Sequence, residues 1–299
     1  MYYTHNEATN TVGNCTATPL GSNFRGCQTF ELVYPRIIHA EFMTHRLMCR
    51  NAASSRATPV STMIREVLEH PYIPKVWPKN CKGMSAKENE TDPEMINHFV
   101  QEWLNARDYA VVKAKFLSRD GVHKEIVNRL LEPFQYIRVI ATSTDWDYFI
   151  KLRKDPKAQP DIQDLAKAIE GCNFHSPAVP AVTHLGHGDV YFPYLDEDYV
   201  LSSPYDFDTL ALISAAKCAR VSYLKHDGTD SSPEEEIELG KRLIRDRHLT
   251  PFEHIVYTPD IRDEFYGPLC GAMNYRYFLE NGVTFKDILQ KPDIIKDIS

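Results

Sequence analysis

The chain has 299 residues, 43% of them apolar and 25% charged, and carries a formal net charge of −7. That supplies a real core for one large domain, and the acidic balance speaks against a nucleic-acid polymer as partner, which selects for basic surfaces. A small anionic ligand stays compatible with it, because a local arginine cluster can sit inside an acidic protein.

The seven cysteines, Cys15, Cys27, Cys49, Cys81, Cys172, Cys218 and Cys270, are odd in number and widely spaced, with no CxxC pair. Neither a disulfide framework nor a zinc site is expected, and none of the site residues below is read as a metal ligand. The first fifteen residues lack the basic and apolar regions of a signal peptide, and no apolar run reaches the ~20 residues of a membrane helix. A cytoplasmic protein with no membrane partner is the expectation.

In chain order, 29–35 (TFELVYP) reads as a strand and 36–49 as a helix with Ile37, Ile38, Phe42, Met43 and Leu47 on one face. Residues 50–57 (RNAASSRA) read as a loop, and Thr58-Pro59 as a helix start. Asp92-Pro93 opens the clearest helix, with Ile96, Phe99, Val100, Trp103, Ala110, Ala114 and Leu117 as its stripe and Gly121 as its stop. A short helix over 123–132 and a strand over 134–142 follow. Thr144 and Asp147 suggest a capping box for a helix carrying Trp146, Phe149 and Ile150, with Arg153 one turn further on. Pro160 begins a helix with Ile162, Leu165, Ala166 and Ile169 inward.

Residues 172–206 hold four prolines and no helical period, and read as an ordered loop or hairpin insertion. A helix over 208–219, a capping box at Ser232 and Glu235 before a helix to about Arg247, a strand over 252–258 and a peripheral tail from 284 complete the pass. Helices and strands interleave, so the class is α+β (mixed α/β), read as a single domain over 1–299.

Three segments carry chemistry. In 44–57 (THRLMCRNAASSRA), small residues let backbone N–H groups approach an anion, Ser54 and Ser55 offer hydroxyls, and Arg56 offers a bidentate phosphate contact. Alone, the segment is equally a polar turn between helices. The second, 247–254 (RHLTPFEH), lacks a zinc spacing and alone is a helix-turn-strand junction. The third is Ala219-Arg220-Val221-Ser222, uninformative by itself. Cys49 reads as a packed small residue rather than a nucleophile, and His175, His184 and His187 as ordinary loop histidines.

Together these segments resemble the flavin-dependent thymidylate synthases. That family's signature is Arg-His-Arg, seven residues, then Ser; here Thr44-His45-Arg46 is followed by seven residues and Ser54. Its ARVS and TPFEH segments match Ala219 to Ser222 and Thr250 to His254, and Leu152-Arg153 with Ala158-Gln159 matches a further helix end. The order differs: the family has ARVS and TPFEH before the signature, so the chain reads as circularly permuted.

The resemblance implies a flavin-dependent thymidylate synthase-like fold, a central antiparallel sheet with helices. It implies bound FAD, methylenetetrahydrofolate and NADPH as co-substrates, a pyrimidine deoxynucleotide monophosphate as substrate, and a homotetramer with shared active sites. It places His45, Arg46, Asn51, Ser222, His248, Thr250, Glu253 and Lys157 at the flavin, with His248 also near the folate. It places Ser54, Ser55, Arg56, Arg129 and Arg153 on the nucleotide, with Glu41 beside them. Arg153 and Ser54 are the catalytic candidates. Arg153 suits stabilisation of the enolate that makes C5 nucleophilic. Ser54 has no adjacent base in the sequence, so phosphate binding is the heavier reading of it.

This chain departs from the family at Thr44 (arginine), Glu41 (glutamine), Ala52 (glutamate), Lys157 (histidine) and Tyr148 (asparagine). Three readings follow: methylation of dUMP to dTMP; the same chemistry on dCMP, or a hydroxymethyl product; and a nucleotide-binding homologue without catalysis.

Overall fold

The computed structural model describes residues 8–22, 26–83, 85–172, 182–184, 188–221, 231–259, 265–292 and 294. Its first half is built on a five-stranded antiparallel sheet of β1 (Asn10–Val12), β2 (Cys15–Ser22), β3 (Gln28–Pro35), β4 (Cys49–Ala52) and β5 (Tyr136–Ser143), in the order β1-β2-β3-β5-β4. Alternation along β3 explains its place at the centre. Phe30, Leu32 and Tyr34 face one way, into a core with Ile137, Val139 and Ala141 of β5. That core is closed by Trp146 and Phe149 of α5 (Trp146–Arg153) and by Ile162, Leu165 and Ile169 of α6 (Pro160–Glu170). Thr29 and Glu31 point the other way and are also buried, so they must be paired. Thr29 bonds the Tyr191 hydroxyl at 2.9 Å, and Glu31 accepts from the Tyr194 hydroxyl.

Between β3 and β4 lies α1 (His39–Phe42), and between β4 and β5 lie α2 (Val60–Glu69), α3 (Pro93–Arg119) and α4 (Lys124–Val127). The last three share a small core of Met63, Val67, Val111, Ala114 and Val127. In α3, Asp92 accepts from the Glu94 N–H, Pro93 takes the first position, and Gly121 beyond the end adopts φ +88°, as the sequence indicates.

The second half carries β6 (Thr183–His184), β7 (Gly188–Tyr191), α7 (Glu197–Ser202), α8 (Phe207–Ala219), α9 (Pro233–Arg245), β8 (Val256–Pro259), β9 (Phe265–Tyr266), β10 (Leu269–Cys270), β11 (Met273–Asn274), α10 (Tyr275–Glu280) and α11 (Phe285–Gln290). Strands β11-β8-β7-β6 form a four-stranded antiparallel sheet, while β9 and β10 form a separate hairpin. The Ser232/Glu235 capping box is present. A Cβ at Gly240 would fall 2.8 Å from Leu212, so glycine is what lets α9 lie against α8. The chain is thus α+β with an antiparallel sheet, and no helix among the described residues is long and apolar enough to cross a membrane.

Several expectations are corrected. The helix read over 36–49 is a 3-10 turn, Arg36–Ile38, then α1, which stops at Phe42. The start of the 50–57 loop is β4. Thr58 caps nothing, since α2 begins after Pro59 with no side-chain cap. The cap of α5 is Asp145, accepting from the Tyr148 N–H, while Thr144 accepts from the Cys270 N–H. The strand read over 252–258 begins at Val256, after a 3-10 turn over Thr250–His254. In 172–206 the hairpin alternative holds, as β6 pairs antiparallel with β7, which also pairs with β8; the correction is the helix α7, which the lack of a helical period did not announce.

The tail from 284 is not peripheral. Thr284 caps α11, and Phe285 and Ile288 are fully buried, with Phe285 stacked on Tyr275 at 4.8 Å. Phe285→Ala is therefore expected to cost about 3–5 kcal/mol of stability, read as the shift of the urea unfolding midpoint. A loss under about 1 kcal/mol would restore the peripheral reading.

Candidate functional site

The signature segment is shaped by two arginines. After α1, the Thr44 and His45 N–H groups turn back to the carbonyls of Glu41 and Phe42. Arg50 Nη1 donates to the carbonyls of Met43 (3.0 Å) and His45 (2.7 Å). Those carbonyls are thereby satisfied from outside, so the helix need not continue. The chain then enters β4, which pairs with β5 from Cys49↔Thr142 to Ala52↔Val139.

From the α5 side, Arg153 reaches the same turn. Its Nε donates to His45 Nε2 at 2.8 Å, and Nη2 donates to Thr44 Oγ1 at 3.2 Å. Nη1 lies 3.5 Å from Glu41 Oε2. Since Nε2 accepts, the proton of neutral His45 sits on Nδ1. Burial first, then the Arg153 and Arg50 charges, holds the pKa of His45 down to about 4. A cleft of about 250 Å³ opens here, lined by Thr44, His45, Arg46, Tyr148, Phe149 and Arg153, with Asp145 and Leu152 beside them.

A second, larger cleft of about 490 Å³ is built from all three segments. Asn51, Ser54 and Arg56 come from the first, Ala219 from the second, and Arg247, His248, Thr250 and Pro251 from the third. Asn51 Nδ2 donates to the Cys218 carbonyl at 3.0 Å, tying the first segment to the second. The loop after β4 is fixed from below: Asn128 Nδ2 donates to the carbonyls of Ser55 (2.7 Å) and Thr58 (3.0 Å), and Lys124 Nζ to that of Ala57 (3.1 Å). Arg56 stands exposed above it with no acidic partner among the described residues, and Ser55 Oγ is buried with no partner there.

The remaining candidates lie elsewhere. Glu253 points to Arg276 at 2.6 Å, and burial raises its pKa against that cation's pull. Arg129 pairs with Glu132 at 2.7 Å, and Lys157 sits in an exposed turn after α5. None of the three lines either cleft. Ser222 falls outside the described residues, as do His175 and His187. Among the described residues no group of His, Cys, Asp and Glu is placed to hold a metal ion. Burial raises the pKa of Cys49 well above the usual thiol range, as suits a packed residue. Glu125 and Arg247 line the larger cleft and Arg50 braces the signature turn. Arg50 and Arg247 fall inside the segments singled out above, but nothing in the sequence gives them a role of their own, and Glu125 reads as a surface charge.

No protein-family model matches the chain, and no curated protein does. Among solved structures, the UMP/dUMP methylase PolB from Streptomyces cacaoi bound with 5-Br dUMP aligns over 48% of this chain and 64% of its own, at 19% identity and a TM-score of 0.38. Its complex with 5-Br UMP aligns over 48% and 66%, at 18% identity and a TM-score of 0.40. The chain therefore spans less than two thirds of that methylase's length.

The histidines give a pH prediction. His45 and His39 are held to about 4, and His254 to about 3, chiefly by burial. Below the unfolded value of about 6.5 the unfolded chain binds more protons than the folded one. Stability is thus complete above pH ~6.5 and falls as pH drops towards ~4. Urea midpoints at stepped pH should decline across that window, while nitrogen NMR shifts keep His45 neutral with its proton on Nδ1. A flat midpoint, or a charged His45 at pH 6, would contradict the burial argument.

Proposed function

We propose that the protein is a flavin-dependent methylase acting at C5 of a pyrimidine deoxynucleotide, converting dUMP to dTMP. Methylenetetrahydrofolate is the carbon donor and NADPH the source of reducing equivalents. The fold is read as a circularly permuted flavin-dependent thymidylate synthase-like fold. One observation carries this: segments nearly two hundred residues apart in sequence, each weak alone, converge on one cleft of about 490 Å³. That volume suits a nucleotide-sized ligand.

The donor set fits a phosphate-bearing ligand. Arg56 has no acidic partner among the described residues, Ser54 lines the same wall, and Ser55 keeps a buried hydroxyl without a partner there. His248 and Thr250 would border the flavin, with Asn51 holding the wall between. When bound, FAD supplies the hydride that completes the methyl group. The chain's own task is to fix the nucleotide by its phosphate and to stabilise charge on the pyrimidine ring. Ser54 is assigned to the phosphate rather than to nucleophilic attack.

Arg153 would act from the smaller cleft, where neutral His45 keeps its Nδ1–H free to donate. The phosphate-binding half and the Arg153 half line separate clefts of one chain. This is in keeping with active sites completed between copies; the homotetramer itself rests on the family resemblance. Glu41 gives the dCMP reading its own footing. Its carboxylate is half exposed and only loosely paired with Arg153 at 3.5 Å, leaving acceptor capacity for an exocyclic amine.

The test is the absorbance spectrum of the purified protein, then anaerobic turnover of dUMP or dCMP with reduced flavin and methylenetetrahydrofolate, read by product mass. Bound flavin and one added methyl on dUMP would support the main reading. A methyl or hydroxymethyl on dCMP would transfer it to the second. No flavin band and no product would sink both and leave a nucleotide-binding homologue. In the active protein, Arg56→Ala should weaken nucleotide binding about 10- to 100-fold, the worth of a charge-assisted hydrogen bond.

A further inference from the structure

Among the described residues, the non-glycine positions in the left-handed region are Tyr194 (φ 66°) and Arg247 (φ 58°). Both carry the cost an L side chain has there. For Tyr194 a compensation is visible, since it is bonded to the buried Glu31 carboxylate. Arg247 has none of that kind. It follows α9, where the His248 N–H reaches the Leu243 carbonyl (2.8 Å) and the Arg247 N–H reaches that of Ile244 (3.0 Å). This is the helix-ending turn whose left-handed position usually belongs to glycine. The backbone bonds would form as well with glycine, so they do not explain an arginine. Its side chain is exposed and makes no ion pair or hydrogen bond within the described residues.

The side chain lines the same cleft as Arg56. Nine other arginines, from Arg36 and Arg107 to Arg276, are neutralised by carboxylates within 4.0 Å. Arg46, Arg50, Arg65 and Arg242 are not, and what sets Arg56 and Arg247 apart is that they line one cleft together. One carboxylate, Glu125, shares this lining; its neighbour at 3.7 Å is His123, a charged partner only when protonated, so the cleft holds two guanidiniums against one carboxylate. In a chain of net charge −7, two guanidiniums without a carboxylate partner on one cleft leave it with an excess of positive charge, a local anion trap.

We propose that Arg247 is a second anion-binding residue. With Arg56, it selects a ligand carrying at least two negative charges on phosphoryl groups, a phosphate monoester dianion or a diphosphate. The left-handed turn is what aims the guanidinium at the cleft, and the strain is retained for binding. This rests on the methylase reading only for which molecule brings the phosphate, the nucleotide or the dinucleotide cofactor.

The experiment uses the full chain as wild type, Arg247→Gly and Arg247→Lys. Calorimetric titration is run with inorganic pyrophosphate, dUMP, FAD and, as the phosphate-free control, deoxyuridine; thermal melts are recorded without ligand. Arg247→Gly relieves the strain, so its Tm should rise by about 2 °C. Its pyrophosphate affinity should fall about 10- to 100-fold, and Arg247→Lys should keep part of it. The same loss for dUMP or for FAD, but not for deoxyuridine, identifies the natural source. Failure of dUMP and FAD to bind, with Arg247-dependent pyrophosphate binding intact, would remove the methylase reading and leave this assignment standing. No pyrophosphate binding by the wild type, or unchanged affinity in Arg247→Gly, would overturn it.

Discussion

A chain of buried hydroxyls holds the two halves of the molecule in register. Thr29 of β3 and Thr142 of β5 are bonded at 2.6 Å; Thr29 continues to Tyr191 of β7 at 2.9 Å, and Thr142 to His254 Nδ1 at 2.9 Å. Every member is buried, so each bond is worth only about 1 kcal/mol net, but each broken one leaves a polar atom stranded at about 1–3 kcal/mol. Such a network specifies an arrangement more than it adds stability. Here it fixes the 3-10 turn ending at His254 against β5, beside β4. The wall carrying His248 and Thr250 therefore meets the wall carrying Asn51, Ser54 and Arg56 at one separation. Burial keeps His254 neutral, with its pKa near 3, so this seam does not loosen by protonation near neutral pH.

What the sequence revealed follows from how local each determinant is. The helices α3, α6 and α9 were legible because proline, cap and apolar stripe lie within one short window. Strands β3 and β5 were legible because runs buried on both faces show continuous β-forming residues. The end of α1 at Phe42 was not, because the groups that satisfy the following carbonyls belong to Arg50 and Arg153, and nothing in 36–49 announces them. The cap of α5 went to Asp145 because Thr144 is engaged by Cys270, more than a hundred residues away. Burial of α11 depends on Tyr275, just outside its own window, and on Asp208, 77 residues away from Phe285. For the site, the segments were legible and their distribution was not. Which face of β4 a side chain occupies depends on the start of that strand, and the strand was read as loop.

That distribution gives the two clefts opposite electrostatic characters. Around Arg153 the charge is compensated inside the chain: Glu41 faces the guanidinium, Thr44 and His45 accept from it, and His45 stays neutral. With Arg46 and Asp145 also on this lining, a ligand there meets oriented hydrogen-bonding groups and charges of both signs. Around Arg56 the fold does the reverse. Its supporting loop is held through carbonyls by neutral Asn128 and by Lys124, so the loop itself spends no carboxylate on Arg56, and the carboxylate on the same cleft, Glu125, forms no ion pair with it. In an acidic protein an uncompensated cation persists only where folding does not require its neutralisation, and an anion gains most from such a place. On the proposed reading, sorting charge this way, one cleft near balance and one with an excess of positive charge, would let a single scaffold offer a ring one environment and a phosphate the other.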